Sequence, residues 1–377
     1  MAKQIILAVA GSGKTYHICN SINDKQKNLI LAYTNENIRN IKRELIDAYG
    51  KVPALTNVMT FDSFVYRYLV CPYEPTILGH FGEKEFKRRG ITTMDPPPMQ
   101  IKDSKGKAIP NPRYINKEHL RHYVSKDGRY YCANLSELIM FAKDEGKPLI
   151  NKIAAMLNRF YDQIMIDEFQ DFRKHDFDLI VALAKKIENV LLVGDFFQHS
   201  VSAVNNSGKP FKIRKREITY QEFIDLLEKE KFEIDNKQLI KSRRCSSHIC
   251  DYVNKKLQIQ IESCNYSNGE VIWVKDNIHE ILENDSIVKL VYQKANTYTF
   301  KAVNWSYSKG DTLDNVCVIL TQTFEKLDED TFSCAKISTS TINKLYVAMT
   351  RTKGNLYFIK ASDFNKVKSK YQKKWSC

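Results

Sequence analysis

A glycine-rich turn near the N-terminus constrains the fold of this chain more than any other feature. Residues 8–15 read Ala-Val-Ala-Gly-Ser-Gly-Lys-Thr; residues 4–9 form an apolar run typical of a buried strand, and a helix-forming run begins at Tyr16. Gly11 and Gly13 allow backbone N–H groups to face an anion at the N-terminus of the helix, so this order predicts a phosphate-binding loop, the alternative being an ordinary glycine turn. Lys14 is expected at the β- and γ-phosphate oxygens and Thr15 at Mg²⁺. The predicted nucleotide contacts of the loop are Ala10, Gly11, Ser12, Gly13, Lys14 and Thr15.

A group of acidic residues further along the chain complements this loop. Asp167-Glu168-Phe169-Gln170-Asp171 directly follows the apolar residues 163–166. We expect Asp167, at the end of a strand, to hold Mg²⁺ through water, and Glu168 to act as the general base for a water molecule. The alternative is that this acidic pair only caps a helix.

Three more polar residues are candidates for the same site. Gln198 follows the apolar residues 189–193, where it would sense a γ-phosphate or serve only as a loop residue. Arg244 and Arg351 lie in the second half of the chain, from which an arginine can reach across a cleft and stabilise a phosphoryl-transfer transition state. The alternative for each arginine is a surface salt bridge.

The composition limits the class of protein and its partners. The chain has 377 residues, of which 43% are hydrophobic, so it is long enough for two domains with their own cores. Lys and Arg number 58 against 44 Asp and Glu, a net charge of +14, which favours nucleic acid as a partner, although a basic surface alone would also account for it. No run of about 18 apolar residues occurs, and the N-terminus enters the first strand too early for a cleavable signal, so we expect a cytoplasmic protein without membrane contact.

The cysteines do not suggest a metal site. Nine are present without Cys-x-x-Cys spacing, and a cytoplasmic setting would keep them reduced. Cys245, His248 and Cys250 lie close together in sequence but lack a fourth ligand. We therefore predict no metal ligand among the cysteines.

Apolar runs alternate with amphipathic stretches in two series, a rhythm typical of parallel sheets covered by helices. The first series comprises residues 5–9, 28–32, 57–60, 163–166 and 189–193, and the second comprises residues 271–274, 287–291, 316–320 and 356–359. The rhythm fails at about 71–134, where seven of the ten prolines fall, and this segment is interpreted as a basic insertion. We predict an α/β fold with a first domain at 1–205, containing the insertion, and a second at 206–377, with the basic residues 209–216 as the linker.

Seven sequence blocks occur in an order that resembles the UvrD/Rep-type superfamily 1 DNA helicases. They are residues 8–15, 32–35, 60–64, 166–171, 193–198, 242–246, and 308–310 together with 346–351. Asp-Glu-Phe-Gln-Asp at 167–171 and Tyr-Val-Ala-Met-Thr-Arg at 346–351 are the blocks that distinguish this family from other P-loop proteins. The match spans nearly the whole chain.

The resemblance implies two RecA-like P-loop domains with ATP and Mg²⁺ in the cleft between them. It implies that Gln198, Arg244 and Arg351 surround the γ-phosphate, that Arg243 and Gly310 also contact the nucleotide, and that single-stranded DNA crosses both domains, with translocation usually 3′ to 5′. The residues implied on the DNA side are Tyr33, Thr34, Asn35, Thr60, Phe61, Ser63 and Phe64. Tyr33 is the best candidate for stacking on a base, whereas Phe61 and Phe64 would alternatively belong to the core.

The chain also departs from the family pattern. Only seven residues precede Ala8, so we expect no upstream Gln segment of the kind that recognises adenine in the family, and Arg243 takes the place of the Tyr that packs on the base. The Trp expected after Gln198 is absent, and Asp62 and Thr312 replace the usual His and Glu. Arg244 and Lys309 are only 309 − 244 = 65 positions apart, too few for the large second-domain insertion of the relatives, so the chain would be a minimal motor.

These observations lead to one main functional hypothesis and two alternatives. The main hypothesis is an ATP-dependent translocase or helicase acting on single-stranded DNA or on its junction with duplex. The first alternative is a nucleotide-dependent switch subunit that controls a protein partner, such as a nuclease in a phage-defence or DNA-repair complex. The second is an RNA helicase, because stacking and phosphate contacts do not distinguish DNA from RNA.

Overall fold

The structure is a computed structural model that describes residues 2–173, 175–199, 210–213, 216–308 and 310–373. Its framework is two parallel sheets, one of six strands and one of five. The strands of the first sheet are β1 (Ala2–Leu7), β2 (Asn28–Ala32), β3 (Thr56–Thr60), β4 (Gln163–Asp167), β5 (Asn189–Gly194) and β6 (Glu233–Asp235). The strands of the second are β7 (Val271–Trp273), β8 (Ile287–Val291), β9 (Ala302–Asn304), β10 (Asn315–Ile319) and β11 (Leu356–Ile359). The predicted α/β fold with parallel sheets is confirmed.

The strand order of the first sheet explains why distant blocks of the sequence meet. The order is β6-β1-β5-β4-β2-β3, so β5 lies between β1 and β4. Leu7 at the end of β1 pairs with Gly194, and Asp167 at the end of β4 pairs with Val193. Because parallel strands end at one edge of the sheet, the loops that follow β1, β4 and β5 converge there.

The second sheet has the order β7-β11-β10-β8-β9. Its central strand β10 is buried from Val316 to Ile319, as expected for a parallel sheet covered on both faces by helices. One face packs in a core that also contains Val9 and Ala10 of the glycine-rich loop. The two sheets are therefore in contact through the segment that follows β1.

Helices cover both sheets, and several begin at a side-chain cap. Thr34 accepts a hydrogen bond from the Asn37 N–H, and Thr219 forms a capping box with Glu222. The helices are α1 (Lys14–Asn20), α2 (Asn35–Tyr49), α3 (Phe61–Phe64), α4 (Glu74–His80), α5 (Leu135–Phe141), α6 (Ile150–Phe160), α7 (Asp176–Ala184), α8 (Tyr220–Lys229), α9 (Ser247–Leu257), α10 (Ile278–Glu283), α11 (Thr339–Met349) and α12 (Ala361–Tyr371). Within the part of the chain that the structure describes, none of them is long and apolar enough to span a membrane.

The segment 71–134 contains mostly short elements, as expected for an insertion. Ile91–Thr92 pairs with Tyr130–Tyr131, and Gln100–Lys102 forms a hairpin with Ala108–Pro110. The segment is nevertheless anchored, because Leu120, Tyr123, Val124 and Tyr130 are buried in the core of the first sheet.

The division between the two sheets differs from the predicted one. Residues 200–209, 214 and 215, which include the predicted boundary and part of the predicted linker, lie outside the description. β6 pairs with β1, and Phe223, Leu227 and Phe232 pack in the core of the first sheet. Residues 216–235 therefore belong with the first sheet and not with the second. Their assignment to the second domain is corrected because β6 is too short and too polar to be recognised as a strand from its sequence.

Candidate nucleotide-binding cleft

The glycine-rich loop adopts the conformation that its sequence predicts. It leaves β1 at Leu7, and the Ala8 N–H donates to the Gly194 carbonyl at 2.8 Å. Gly11 and Gly13 have φ of 73° and 87°, and Gly13 forms the N-cap of α1. A Cβ on Gly11 would lie 2.7 Å from Ser242 Oγ, so both the backbone and the approach of the second half of the chain require glycine there.

The loop meets the acidic block at two contacts. Lys14 Nζ lies 3.4 Å from Glu168 Oε1, and the Thr15 hydroxyl donates to Asp167 Oδ2 at 2.7 Å. Asp167 is buried; burial raises its pKa to about 7, and the adjacent charge of Glu168 acts in the same direction. Asp167 Oδ1 has no hydrogen-bond partner among the described residues. A hydroxyl and an unsatisfied carboxylate oxygen are ligands that suit Mg²⁺, so these residues fit the expected metal.

Glu168 belongs to a hydrogen-bonded network that runs to the end of β5. The Gln170 side-chain amide donates to Glu168, and its carbonyl oxygen accepts the Asp195 N–H at 2.9 Å. Gln198 Nε2 donates to Asp195 Oδ2 at 2.9 Å, which brings Gln198 to the edge of the sheet where Lys14 lies. Burial raises the pKa of Asp195 to about 6, although the charge of Lys14 opposes this shift.

Tyr346 connects this network to the second half of the chain, and the sequence analysis did not select it. The residue lies on α11 and is fully buried. Its hydroxyl accepts the Ala10 N–H at 2.8 Å and donates to Asp195 Oδ2 at 3.1 Å. Tyr346 stands in the block at 346–351, but its sequence position does not reveal that its hydroxyl reaches the glycine-rich loop.

Two arginines of the second half approach the same edge. Arg351 is 1% exposed, its Nε donates to the Val347 carbonyl at 2.9 Å, and its Nη2 has no hydrogen-bond partner among the described residues. Arg244 donates from Nη1 to the Thr350 carbonyl at 3.0 Å. Burial lowers the pKa of both guanidinium groups, that of Arg351 to about 10, and the charge of Arg244 lowers the pKa of Arg351 further. A buried and a half-buried cation that repel each other form a site that an anion would stabilise.

The two remaining predicted nucleotide contacts differ from each other. Arg243 is exposed, and its guanidinium lies 4.8 Å from the centre of the Tyr16 ring. The backbone N–H of Arg243 donates to the Gly11 carbonyl at 2.9 Å. It therefore lies against the loop. Gly310 has φ of 94° and is exposed, and none of the contacts between described residues joins it to the loop. Its neighbour Lys309 lies outside the description.

The predicted DNA-binding residues divide into buried and accessible ones. Phe61 and Phe64 are fully buried in the core of the first sheet, so their assignment to the DNA surface is corrected in favour of the core alternative. Tyr33 is half-buried, stacks on Phe61 with ring centres 5.3 Å apart, and its hydroxyl lies 3.4 Å from Asp176. Only part of the Tyr33 ring is therefore free to stack on a base.

Four polar residues of the same predicted surface remain accessible. Thr34 and Asn35 are exposed at the start of α2, and Thr60 and Ser63 are half-buried at the start of α3. The Thr60 hydroxyl accepts the Ser63 N–H at 3.2 Å. These hydroxyl and amide groups are suited to contact phosphate oxygens.

Asp62, which replaces the usual His, lies beside this surface in an ion-pair cluster. Arg173 bridges Asp62 and Asp176, and its Nε lies 3.1 Å from Asp176 Oδ2. Burial raises the pKa of Asp62, although the charge of Arg173 lowers it. The sequence showed only that Asp62 takes the place of the usual His. That Arg173 is the ion-pair partner of Asp62 became evident only from the fold.

Known proteins resemble this chain in part of its sequence and in its fold. The model of the UvrD/REP helicase N-terminal domain matches residues 84–201. No curated protein matched the sequence. A solved complex of arterivirus nonstructural protein 10, a helicase, with DNA is similar over 96% of this chain and 61% of that one, with 13% identity and a TM-score of 0.45. A solved structure of the PRRSV helicase is similar over 99% of this chain and 55% of that one, with 13% identity and a TM-score of 0.42.

This chain spans less than two thirds of the length of either viral helicase. The family match, in contrast, falls on a defined part of the first half. It includes β4 with its acidic block, β5 and most of the insertion. Residues 84–201 therefore match the N-terminal domain of the UvrD/REP helicases, which confirms the resemblance to this helicase family that the order of the sequence blocks predicted.

Proposed function

We propose that the protein is an Mg²⁺- and ATP-dependent translocase of helicase type that moves along single-stranded DNA. One observation carries the proposal. Lys14 and Thr15 contact Glu168 and Asp167 on one side of the cleft, while Arg244 of the other half lies against Gly11 and contacts Thr350, the neighbour of the buried Arg351. Lysine, hydroxyl, paired carboxylates and arginines are the groups that phosphoryl transfer to water requires.

Each group has a distinct task in this proposal. The N–H groups of the loop and Lys14 would bind the phosphates, which separates Lys14 from Glu168 and leaves that carboxylate to accept a proton from water. Arg351 and Arg244 would stabilise the charge that develops on the γ-phosphoryl oxygens. Mg²⁺, held by Thr15 and Asp167, would neutralise phosphate charge. Gln198, oriented by Asp195, would contact the γ-phosphate or the attacking water.

The proposal couples ATP to movement because the site is shared between the two halves of the chain. ATP would draw the arginines and the loop together, and hydrolysis would release them. The second half would then change its position on a DNA strand that the first half holds through Thr34, Asn35, Thr60, Ser63 and the free part of Tyr33. The net charge of +14 supports a polyanionic track, and 3′ to 5′ movement is the expected direction.

The first test is the steady-state rate of ATP hydrolysis with and without oligothymidylate at two salt concentrations. We expect DNA to stimulate the rate, stimulation to weaken at higher salt, and Glu168→Gln and Lys14→Ala to abolish it. Glu36→Gln, an exposed carboxylate on α2, is the matched control and should retain the wild-type rate. Full hydrolysis by Glu168→Gln would contradict the role given to Glu168.

A nucleotide-dependent switch subunit is the second candidate. The ion-pair cluster at Asp62 favours it, because this acidic residue lies beside the expected DNA surface. Hydrolysis that is indifferent to both oligothymidylate and oligouridylate would favour the switch. Stimulation by oligouridylate alone would favour an RNA helicase.

A further inference from the structure

The insertion carries a groove that takes no part in the proposed ATPase. The groove encloses about 1260 Å³ between residues 94 and 131, and none of its lining residues belongs to the nucleotide-binding cleft. This volume exceeds the roughly 300–1,000 Å³ of sites for small molecules. It can therefore accept several residues of a polypeptide.

Apolar side chains are unusually exposed at this groove. Met94 and Ile101 line it with 61% and 39% of their surface exposed, and Ile115 lines it with 39% exposed. Met99, beside the lining, is 63% exposed. These four are among eleven large apolar side chains that are exposed in the described part of the chain, and they fall within one stretch of 22 positions, 94–115. A cluster of this kind marks an interaction site more often than a free surface.

Hydrogen bonds within the insertion and a run of prolines hold the groove in shape. Asn111 Nδ2 donates to the Pro98 carbonyl at 2.8 Å, and the Asn111 N–H donates to the Met99 carbonyl at 3.0 Å. Three consecutive prolines, Pro96, Pro97 and Pro98, restrict the backbone of one wall. On the other side, Ser125 accepts the Arg129 N–H at 3.0 Å. A preformed groove loses little conformational entropy when a ligand binds.

The charge around the groove is strongly positive. Residues 84–129 contain 12 Lys and Arg and 5 Asp and Glu, so their net charge is 12 − 5 = +7, half of the +14 of the whole chain. Three of the cations, Arg113, Arg121 and Lys126, line the groove, and none of them forms an ion pair with a described residue. Of the two lining carboxylates, Asp127 is already paired with Arg129 at 3.2 Å. The groove is therefore complementary to an acidic ligand.

We propose that this groove binds an acidic segment of a partner protein that also carries apolar side chains. The exposed Met and Ile side chains would contact the apolar residues of the segment, and the three unpaired cations would contact its carboxylates. Single-stranded nucleic acid is the less suitable occupant, because its bases stack on exposed aromatic rings. Among the described residues, the aromatic rings in the lining are those of His122 and of Tyr131, which is 8% exposed.

The test is selection from a displayed library of random 12-residue peptides on the full chain, with counter-selection on the double variant Met94→Asp, Ile101→Asp. We expect enrichment of peptides that combine Asp or Glu with Leu, Ile, Phe or Met. The most enriched peptide, labelled with fluorescein, should then bind the wild type with at least about tenfold higher affinity than it binds Ile101→Asp or the double variant Arg113→Glu, Lys126→Glu.

Two matched controls separate the groove from the rest of the surface. Tyr266→Asp changes another exposed apolar side chain, and Lys275→Glu changes another exposed cation; both should bind the peptide within about twofold of the wild type. All variants should keep DNA-stimulated ATP hydrolysis, so a failure of peptide binding is distinguishable from a failure of the proposed motor.

Two outcomes would overturn the inference. One is a selection without enrichment over the counter-selected variant, or an enriched peptide that binds Ile101→Asp as tightly as the wild type. The other is that labelled oligothymidylate, and no peptide, loses affinity in the groove variants, which would assign the groove to nucleic acid.

Discussion

The candidate nucleotide-binding cleft and the groove of the insertion differ in how far their functional side chains are exposed and paired. In the cleft the charged groups are mostly buried or half-buried, and Lys14 contacts Glu168 at 3.4 Å. In the groove the apolar side chains are exposed and the cations Arg113, Arg121 and Lys126 have no acidic partner among the described residues. A ligand must therefore rearrange ion pairs to enter the cleft, whereas the groove can bind with little change. The difference suggests that ligand binding changes the side-chain contacts of the cleft, whereas the groove is ready for its ligand without such a change.

The strongest test of the cleft is Arg351→Ala. Its side chain is buried and its Nη2 has no hydrogen-bond partner among the described residues, so that nitrogen is free to donate to a bound anion. We expect the DNA-stimulated rate of ATP hydrolysis to fall by about 10³-fold, the lower end of the effect of an arginine finger. The exposed Lys353→Ala, two residues away, should retain the wild-type rate. A loss below tenfold would remove Arg351 from the proposed catalytic groups.

A smaller effect is expected for Tyr346→Phe, which tests whether the two halves of the cleft are coupled. The substitution removes hydrogen bonds of 2.8 Å to Ala10 and 3.1 Å to Asp195 and retains the ring. If the lost hydrogen bonds raise the activation free energy by about 1.4 kcal/mol, kcat in the presence of DNA falls approximately tenfold. The measurement is kcat and KM for ATP with and without oligothymidylate, with the exposed Tyr266→Phe as control.

A purely structural role of Tyr346 predicts a different result. In that case Tyr346→Phe would lower the melting temperature and leave the ratio of stimulated to unstimulated rates unchanged. The positioning role predicts that this ratio falls.

The smallest effect on activity is expected for Glu137→Gln, which tests the attachment of the insertion. Glu137 on α5 contacts His122 of the insertion at 3.1 Å and His175, just before α7, at 3.3 Å. The substitution should lower the free energy of unfolding by about 1–3 kcal/mol and leave ATP hydrolysis within about twofold of the wild type. Glu118→Gln, an exposed carboxylate of the insertion, is the control.

The difference in the free energy of unfolding between the wild type and Glu137→Gln should depend on pH in a defined direction. Burial would raise the pKa of Glu137, but hydrogen bonds from His122 and His175 and their charges hold it well below its ordinary value. A lowered pKa in the folded state stabilises the fold above the pKa of the unfolded chain, and this stabilisation is lost as pH falls. In chemical unfolding, the wild type should therefore exceed Glu137→Gln in stability by the full amount at pH 6 and by a smaller amount below about pH 4. An advantage that grows on acidification below pH 4 would contradict this account.

The regular parts of the fold were predictable because local patterns specify them. The apolar runs at 28–32, 287–291 and 356–359 coincide with β2, β8 and β11. β6 and β9 were missed, because three-residue strands with polar residues carry no periodicity that sequence analysis can detect. The same limit explains why 216–235 was assigned to the wrong side of the domain boundary.

The sequence by itself determined the chemistry of the cleft. Gly11, Gly13, Lys14, Thr15, Asp167 and Glu168 stand in blocks whose residue types and spacing specify their local conformation. Only the tertiary structure decided which residues contact each other over long separations. Tyr346 meets Ala10 across 336 positions, and Phe61 and Phe64 enter the core although they belong to a block expected at the DNA. The physical reason is that backbone conformation depends on neighbouring residues, whereas burial and hydrogen bonding between distant segments depend on the order in which the strands assemble into sheets.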